Sequence, residues 1–141
     1  MEKIAGRVMS LDLGDKRIGV AISDTTRTIA SSYGVVKRKS RREDFDRYRH
    51  IIDEQEVTLV VVGLPVTLGG EEGRAAAWVR DYAAELGRHI DVPVEFWDES
   101  LTTVEAEASL RARGTRGKKA RQHVDAVAAA FILQSYLDAH A

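Results

Sequence analysis

Three acidic residues lie within or directly after apolar segments, where burying an ionised carboxylate costs free energy. Asp12 is the last polar residue of the alternating segment RVMSLDL, and Glu99 follows the segment VPVEFWD. Asp125 lies among the apolar residues of HVDAVAAAFIL. A buried charge needs a partner, and clustered carboxylates repel one another. A hard divalent cation, Mg²⁺ or Mn²⁺, relieves that repulsion because it takes oxygen ligands. We therefore predict that Asp12, Glu99 and Asp125 are both catalytic residues and metal ligands.

The chemistry expected of such a site is phosphodiester hydrolysis. Two divalent cations about 4 Å apart can activate a water molecule and stabilise the leaving oxygen of a phosphodiester. Each acid also has a structural interpretation. Asp12 could end its strand in an Asx-turn, Asp125 could be an acid in the first turn of the last helix, and Glu99 could be solvated at a strand end.

Positive charge is concentrated in two segments, although 21 Lys and Arg against 22 Asp and Glu leave a net charge of −1. Residues 37–42 (KRKSRR) hold five cations, and residues 111–121 (RARGTRGKKAR) hold six without an acid. A charge run is often a solvated loop, but two such runs on a neutral chain predict local anion sites. The second segment is predicted to bind backbone phosphates, with residues 37–42 extending that surface. Together with two cations after the first strand, the predicted nucleic-acid-binding residues are Lys16, Arg17, Arg111, Arg113, Arg116, Lys118, Lys119 and Arg121.

Length and composition bound the class of protein. The 141 residues are 44% hydrophobic and 30% charged, so we expect one globular domain spanning 1–141. The absence of cysteine excludes disulfides, thiolate metal sites and cysteine nucleophiles. The longest apolar run, AVAAAFIL, is far shorter than the ~20 residues that span a bilayer, and the N-terminus lacks a secretory apolar region. We expect a cytoplasmic protein with no membrane partner.

Periodicity predicts the elements that must position these acids. The first forty residues favour three strands joined by short turns, and the chain then alternates helices with two further strands. The predicted order is β-β-β-α-β-α-β-α-α. Such an order gives an α/β fold of ribonuclease H-like type, a five-stranded mixed sheet flanked by helices. The first strand would be central, and the three acids could converge near the carboxyl ends of the parallel strands.

The helix signals are local. Ser40 and Glu43 form a capping box for a helix that ends near Gln55. The inner face of the next helix is predicted to be Ala75, Trp78, Val79, Tyr82 and Leu86. A further helix is expected from Thr102 to Gly114, and the last over residues 123–140.

Four ordered motifs resemble one known family. The segments SLDLGDKRIGVAISD, VVVGLPVTLGG, WDESLTT and HVDAVAAAFILQ are similar in order and spacing to the YqgF family, over about residues 5–138. Its members are ribonuclease H-like proteins described as Holliday-junction-resolvase-like proteins or pre-16S rRNA nucleases. The resemblance implies that Asp12, Glu99 and Asp125 occupy the first, second and third acidic positions. It also implies metal-dependent hydrolysis of RNA during maturation of the 5′ end of 16S rRNA.

The chain departs from the family pattern at one position. Where the family commonly has Asp-Glu-Arg-Leu-Thr-Thr, this sequence has Ser100 in place of the arginine. A guanidinium beside the acids can orient a carboxylate or bind a phosphate bidentately, and a serine cannot. Because the three acids are retained, we expect activity to persist and substrate affinity to be the property affected.

Three other functions fit parts of the same sequence. A Holliday-junction resolvase would use the same chemistry on structured DNA, with a homodimer rather than a monomer acting on the junction. A non-catalytic nucleic-acid-binding module would not need three acids, so their retention argues against it. An actin-like ATP-binding fold is suggested by DLGDKRIG, but such folds need two lobes and far more than 141 residues.

Overall fold

The computed structural model describes residues 6–66, 70–99 and 117–141, with side chains from residue 125 onward in the last range. The described elements follow the predicted order, and the predicted helix between Thr102 and Gly114 lies outside the described residues. Among the described helices, none combines the length and apolar character needed to cross a membrane. The elements are β1 Arg7–Leu13, β2 Arg17–Ser23, β3 Ala30–Lys37, α1 Arg41–Gln55, β4 Val57–Leu64, α2 Arg74–Gly87, β5 Val94–Asp98 and α3 Gly117–Ala139.

The five described strands form one mixed sheet in the order β3-β2-β1-β4-β5. Strand β1 is central, antiparallel to β2 and parallel to β4, while β5 continues the parallel part beyond β4. The first three strands are antiparallel because short turns can join only antiparallel neighbours. The two parallel strands each follow a helical crossover, as such pairing requires. This confirms the predicted sheet and its central first strand.

Alternation along β1 separates two cores. Met9 and Leu11 face the larger core, which α1 and α2 cover. Val8 faces the smaller core, formed with α3. Strand β4 is buried on both faces over most of its length, as its valine-rich run predicted. Since β1 is central, its polar residues Ser10 and Asp12 must be accommodated beneath α3.

The helices confirm most of the local signals. The capping box of Ser40 and Glu43 is present at the start of α1. On α2, Val79, Tyr82 and Leu86 are buried as predicted, whereas Ala75 is exposed. The prediction that Ala75 lies on the buried face was wrong, because the next residue, Ala76, occupies that face. Ala76 and Ala83 are buried in the larger core instead.

The last helix differs from its prediction at the N-terminal end. Helix α3 begins at Gly117, six residues before the predicted start at residue 123. The end of the basic segment is therefore helical rather than loop. Lys118, Lys119 and Arg121 lie on the first turns of α3, where lysine and arginine have good helix propensity.

Candidate active site

Asp12 lies in a row of the sheet where both neighbouring strands carry glycine. It pairs directly with Gly19 of β2, and the parallel register of Leu11 with Val62 places it beside Gly63 of β4. Two residues earlier, the hydroxyl of Ser10 donates to the Ala129 carbonyl of α3, at 2.7 Å. The side chains of Ser10 and Asp12 therefore share the face that α3 covers.

The first glycine lets α3 approach the sheet. A Cβ atom at Gly19 would lie 2.0 Å from the Asp125 carbonyl oxygen, so a side chain there would collide with the helix backbone. Glycine in a strand interior often marks such a close approach. The absence of a side chain at Gly19 thus brings Asp125 over the row that contains Asp12.

The second glycine makes room for Glu99. A Cβ atom at Gly63 would lie 2.8 Å from the Glu99 Oε2 atom and 2.8 Å from the Ile132 Cδ1 atom. Glu99 follows the last residue of β5 directly, which carries its carboxylate back over β4. The structure therefore brings Asp12, Glu99 and Asp125 to one patch beside α3, from residues up to 113 positions apart.

Burial and neighbouring negative charge raise the pKa values of Asp12 and Glu99. Burial, followed by the charge of Asp125, raises the pKa of Asp12 from 3.8 to about 6. Burial, followed by the charges of Asp12 and Asp98, raises the pKa of Glu99 from 4.5 to about 7. Each shift has the sign expected for carboxylates withdrawn from water and placed close together. Asp12 is the shared member, since it interacts with both other acids.

Asp125 lies in the body of α3 rather than at its start. Because α3 begins at Gly117, Asp125 is eight residues into the helix and not in its first turn. The helix dipole acts mainly within the terminal turn, so it does not account for an acid at this position. The Asp125 side chain forms an ion pair with Arg17, whose Nε atom lies 2.9 Å from Asp125 Oδ2.

The turn that follows Asp12 is held by an inward-pointing arginine. Arg38 Nη1 donates to the carbonyl oxygens of Gly14 and Asp15, and its backbone N–H donates to the Lys16 carbonyl. The Arg38 guanidinium also lies 4.5 Å from the ring centre of Trp78 on α2. Arg38 therefore fixes the turn that carries Lys16, whose side chain is exposed.

The structure describes some of the predicted phosphate-binding residues completely, some only by their backbone, and some not at all. Arg17 lies at the acidic patch and Lys16 on the adjacent turn. The backbones of Lys118, Lys119 and Arg121 lie on the first turns of α3, eight residues or fewer from Asp125. Arg111, Arg113 and Arg116, with Ser100, lie outside the described residues.

The first cationic segment contributes less charge to a binding surface than its sequence suggests. Arg38 points inward, as described above. Arg41 Nη1 pairs with Asp81 and Glu85 of α2, at 2.9 and 2.6 Å. Two of the five cations in residues 37–42 are thus engaged by the protein itself, and Lys37, Lys39 and Arg42 remain for an external anion.

Carboxylate oxygens are the donor set that Mg²⁺ and Mn²⁺ prefer, so the chemistry of the patch fits a divalent cation. As the side chains stand, no three Asp, Glu or His residues of the described ranges are positioned to hold one ion together. Arg17 instead contacts one oxygen of Asp125. A divalent cation would therefore compete with the proton on Glu99, whose pKa is raised to about 7, and with the positive charge of Arg17 beside Asp125.

Three residues that matter to this geometry were missed or undervalued by the sequence analysis. Gly19 was counted as a strand residue, although a glycine within an apolar strand was a usable signal. Gly63 entered only through the family resemblance. The inward position of Arg38 had no signal, because a charge run gives no indication of which cation is buried.

Comparison with known proteins identifies the family. The sequence model of the RuvX family, described as Holliday junction resolvase, matches residues 6–139. The chain belongs to the RuvX family. This is the YqgF group that the four sequence motifs resemble, and the resemblance is confirmed.

Two similar proteins share one name. A protein of Thermoanaerobacter pseudethanolicus named pre-16S rRNA nuclease is 44% identical over 134 residues, covering 94% of this chain and 96% of the relative. A Roseiflexus protein of the same name is 42% identical over 138 residues, covering 98% of each chain. This RuvX chain is therefore a nuclease that acts on nucleic acid, as predicted.

Solved structures support the fold of the RuvX chain. Thermus thermophilus RuvC in complex with a Holliday junction superimposes with a TM-score of 0.59 at 16% identity, covering 96% of each chain. The fowlpox virus resolvase in complex with a Holliday junction gives 0.57 at 10% identity, covering 95% of this chain and 98% of the resolvase. These similarities confirm the ribonuclease H-like sheet.

Proposed function

We propose that this RuvX chain is a metal-dependent nuclease that processes the 5′ end of pre-16S rRNA, with Mg²⁺ or Mn²⁺ as cofactor. The observation that carries the proposal is the convergence of Asp12, Glu99 and Asp125 beside two glycines of the sheet. The choice of RNA rests on relatives that are 42–44% identical over almost their full length and are named pre-16S rRNA nucleases.

Each residue has a stated role in the proposed site. Asp12, which interacts with both other acids, would be the shared metal ligand, and Glu99 and Asp125 would complete the ligand set. Divalent cations held there supply an activated water and stabilise the leaving oxygen of the phosphodiester. Gly19 and Gly63 have no side chain, which lets Asp125 and Glu99 approach the sheet row that holds Asp12.

Two groups of cations would hold the polyanion near the acids. Lys16 and Arg17 lie at the turn after β1, while Lys118, Lys119 and Arg121 lie on the first turns of α3. Arg111, Arg113 and Arg116 would extend that second group along the chain. These two groups of cations would offset the repulsion between the phosphates and the acidic patch.

A cleavage assay tests the function and its main alternative together. A pre-16S rRNA fragment and a four-way DNA junction would be incubated separately with Mg²⁺ or Mn²⁺ at low salt. We expect cleavage of the RNA and its loss in Asp12→Asn, since that change removes the shared ligand. Asp46→Asn, an exposed and isosteric change on α1, serves as the control and should cleave normally.

The outcomes separate the alternatives. Cleavage of the junction without cleavage of the RNA would favour the resolvase, the function in the family's description. Binding of either nucleic acid without cleavage would favour a non-catalytic module. Wild-type cleavage by Asp12→Asn would refute the assignment of the catalytic acids.

A salt titration tests the proposed phosphate contacts. Replacing Lys118 and Lys119 with glutamine should weaken RNA binding and reduce the slope of log affinity against log salt by roughly 0.7 for each lost contact to a single strand. The matched control replaces Arg80 of α2 and Arg88, the residue that caps the end of α2, on the opposite side of the sheet from α3. An unchanged slope in the Lys118 and Lys119 variant would remove these residues from the binding surface.

A further inference from the structure

Arg17 lies on β2 two residues from the sheet row that contains Asp12, Gly19 and Gly63. It is the first residue of β2, two positions before Gly19, so its side chain projects from the same face of the sheet as the Gly19 position. Its backbone is fixed on both sides, since its carbonyl accepts from Gly14 N–H and the residue pairs with Lys37 of β3. The Arg17 side chain therefore extends from a rigid strand towards α3.

The Arg17 guanidinium uses one edge and leaves the other available. Its Nε atom donates to Asp125 Oδ2 at 2.9 Å. Within the described ranges, the two terminal nitrogens donate to no protein group, and the side chain is 34% exposed. The edge formed by two terminal nitrogens matches two oxygens of a phosphate, which makes it a bidentate phosphate donor.

We propose that Arg17 couples the third acid to the substrate, with its Nε atom orienting Asp125 and its terminal nitrogens binding a phosphate of the nucleic acid. This inference deepens the proposed function and rests on it. Arg17 is a phosphate contact and, towards Asp125, a positioning residue. In the metal-free protein, Arg17 also places a positive charge beside Asp125, which is one of the proposed metal ligands.

The two roles predict opposite effects of one substitution. Arg17→Gln removes the guanidinium charge that competes with a metal ion for Asp125. A divalent cation should therefore bind more tightly in the absence of RNA. The same change removes a charged bidentate donor from the phosphate, so RNA should bind less tightly. A residue with a merely structural role would weaken both interactions when it is lost.

The test measures binding and needs no cleavage. Mn²⁺ affinity would be measured by titration calorimetry without RNA, and affinity for a pre-16S rRNA fragment by fluorescence anisotropy in EDTA. For Arg17→Gln we expect RNA binding to weaken about tenfold and Mn²⁺ binding to strengthen about threefold. Arg17→Lys keeps the charge without the planar fork, and should recover less than half of the lost RNA binding energy.

Arg80→Gln is the matched control. Arg80 Nε also donates to a carboxylate, Glu72 Oε1 at 2.7 Å, but Arg80 lies on α2. Both affinities of this variant should stay within about twofold of the wild type. Equal weakening of Mn²⁺ and RNA binding by Arg17→Gln, or unchanged RNA binding, would overturn the inference.

The result is distinguishable from a failure of the proposed function. If the wild-type protein binds no Mn²⁺, the metal assignment of the proposed function fails, while the RNA measurement in EDTA still tests the phosphate contact. Urea unfolding of each variant keeps loss of folding separate from loss of binding.

Discussion

Replacing Asp12 with asparagine should make the metal-free protein more stable near neutral pH while removing its proposed activity. The change retains the size and shape of the side chain and removes its charge. The folded protein raises the pKa of this carboxyl from 3.8 to about 6, through burial and through the charge of Asp125. The ionised form of Asp12 therefore opposes folding.

The magnitude follows from the shift. A difference of about two pKa units, at ~1.36 kcal/mol per unit, sets an upper figure of about 3 kcal/mol for the cost of the ionised Asp12. Asp12 is partly exposed, and solvent screening reduces that cost. We expect Asp12→Asn to raise the free energy of unfolding by about 1–2 kcal/mol at about pH 8.

The effect has a defined dependence on pH. The folded state binds the Asp12 proton more tightly than the unfolded chain does, so the cost of ionisation is complete above a pH of about 6. As the pH falls towards about 4, both states bind the proton and the cost disappears. The advantage of Asp12→Asn should therefore be present at about pH 8 and absent near pH 4.

Urea unfolding in EDTA, followed by the fluorescence of Trp78 and Trp97, provides the assay. Asp46→Asn is the control, because Asp46 is exposed on α1 and its replacement should change stability by less than about 0.5 kcal/mol at either pH. A loss of stability in Asp12→Asn at about pH 8, or a gain that persists near pH 4, would refute the reasoning from burial and repulsion.

The two glycines of the site predict different outcomes for the same substitution. Gly63→Ala would place a Cβ atom 2.8 Å from Glu99 Oε2, 2.8 Å from Ile132 Cδ1 and 2.9 Å from Glu99 Cγ, all of them side-chain atoms that can shift, so stability should fall by about 1–2 kcal/mol while cleavage falls strongly. Gly19→Ala would place a Cβ atom 2.0 Å from the Asp125 carbonyl oxygen, and α3 would have to move, so stability should fall by about 3 kcal/mol or more. Urea unfolding and cleavage of the two variants, compared side by side, check both. Equal stability of the two would show that α3 does not pack on Gly19 as described.

The order of the elements was predictable because it depends on neighbouring residues. Alternation in RVMSLDL places Met9 and Leu11 on one face of the strand and Val8 on the other, and in the structure these faces meet different cores. The capping box of Ser40 and Glu43 needs only residues three positions apart. The position of Asp12 at the end of a central strand followed from the same local patterns.

The phase and the limits of helices were less predictable. Ala75 was placed on the buried face of α2, but Ala76 occupies it, because alanine side chains carry too little hydrophobic signal to fix a helical phase. The start of α3 was placed six residues late, because the basic residues 117–121 favour a helix and an exposed loop equally well. That error put Asp125 in the wrong part of its helix.

What the sequence by itself determined is the set of strands and helices and the acids that end or interrupt them, since periodicity, caps and turns act over a few residues. What the tertiary structure decided is how those acids meet. Arg17 and Asp125 are 108 positions apart, and their contact depends on how closely α3 crosses the sheet above Gly19. Arg38 likewise points inward because the turn after β1 and Trp78 of α2 lie on either side of it. Such contacts are set by the packing of whole elements, which no local pattern of residues encodes.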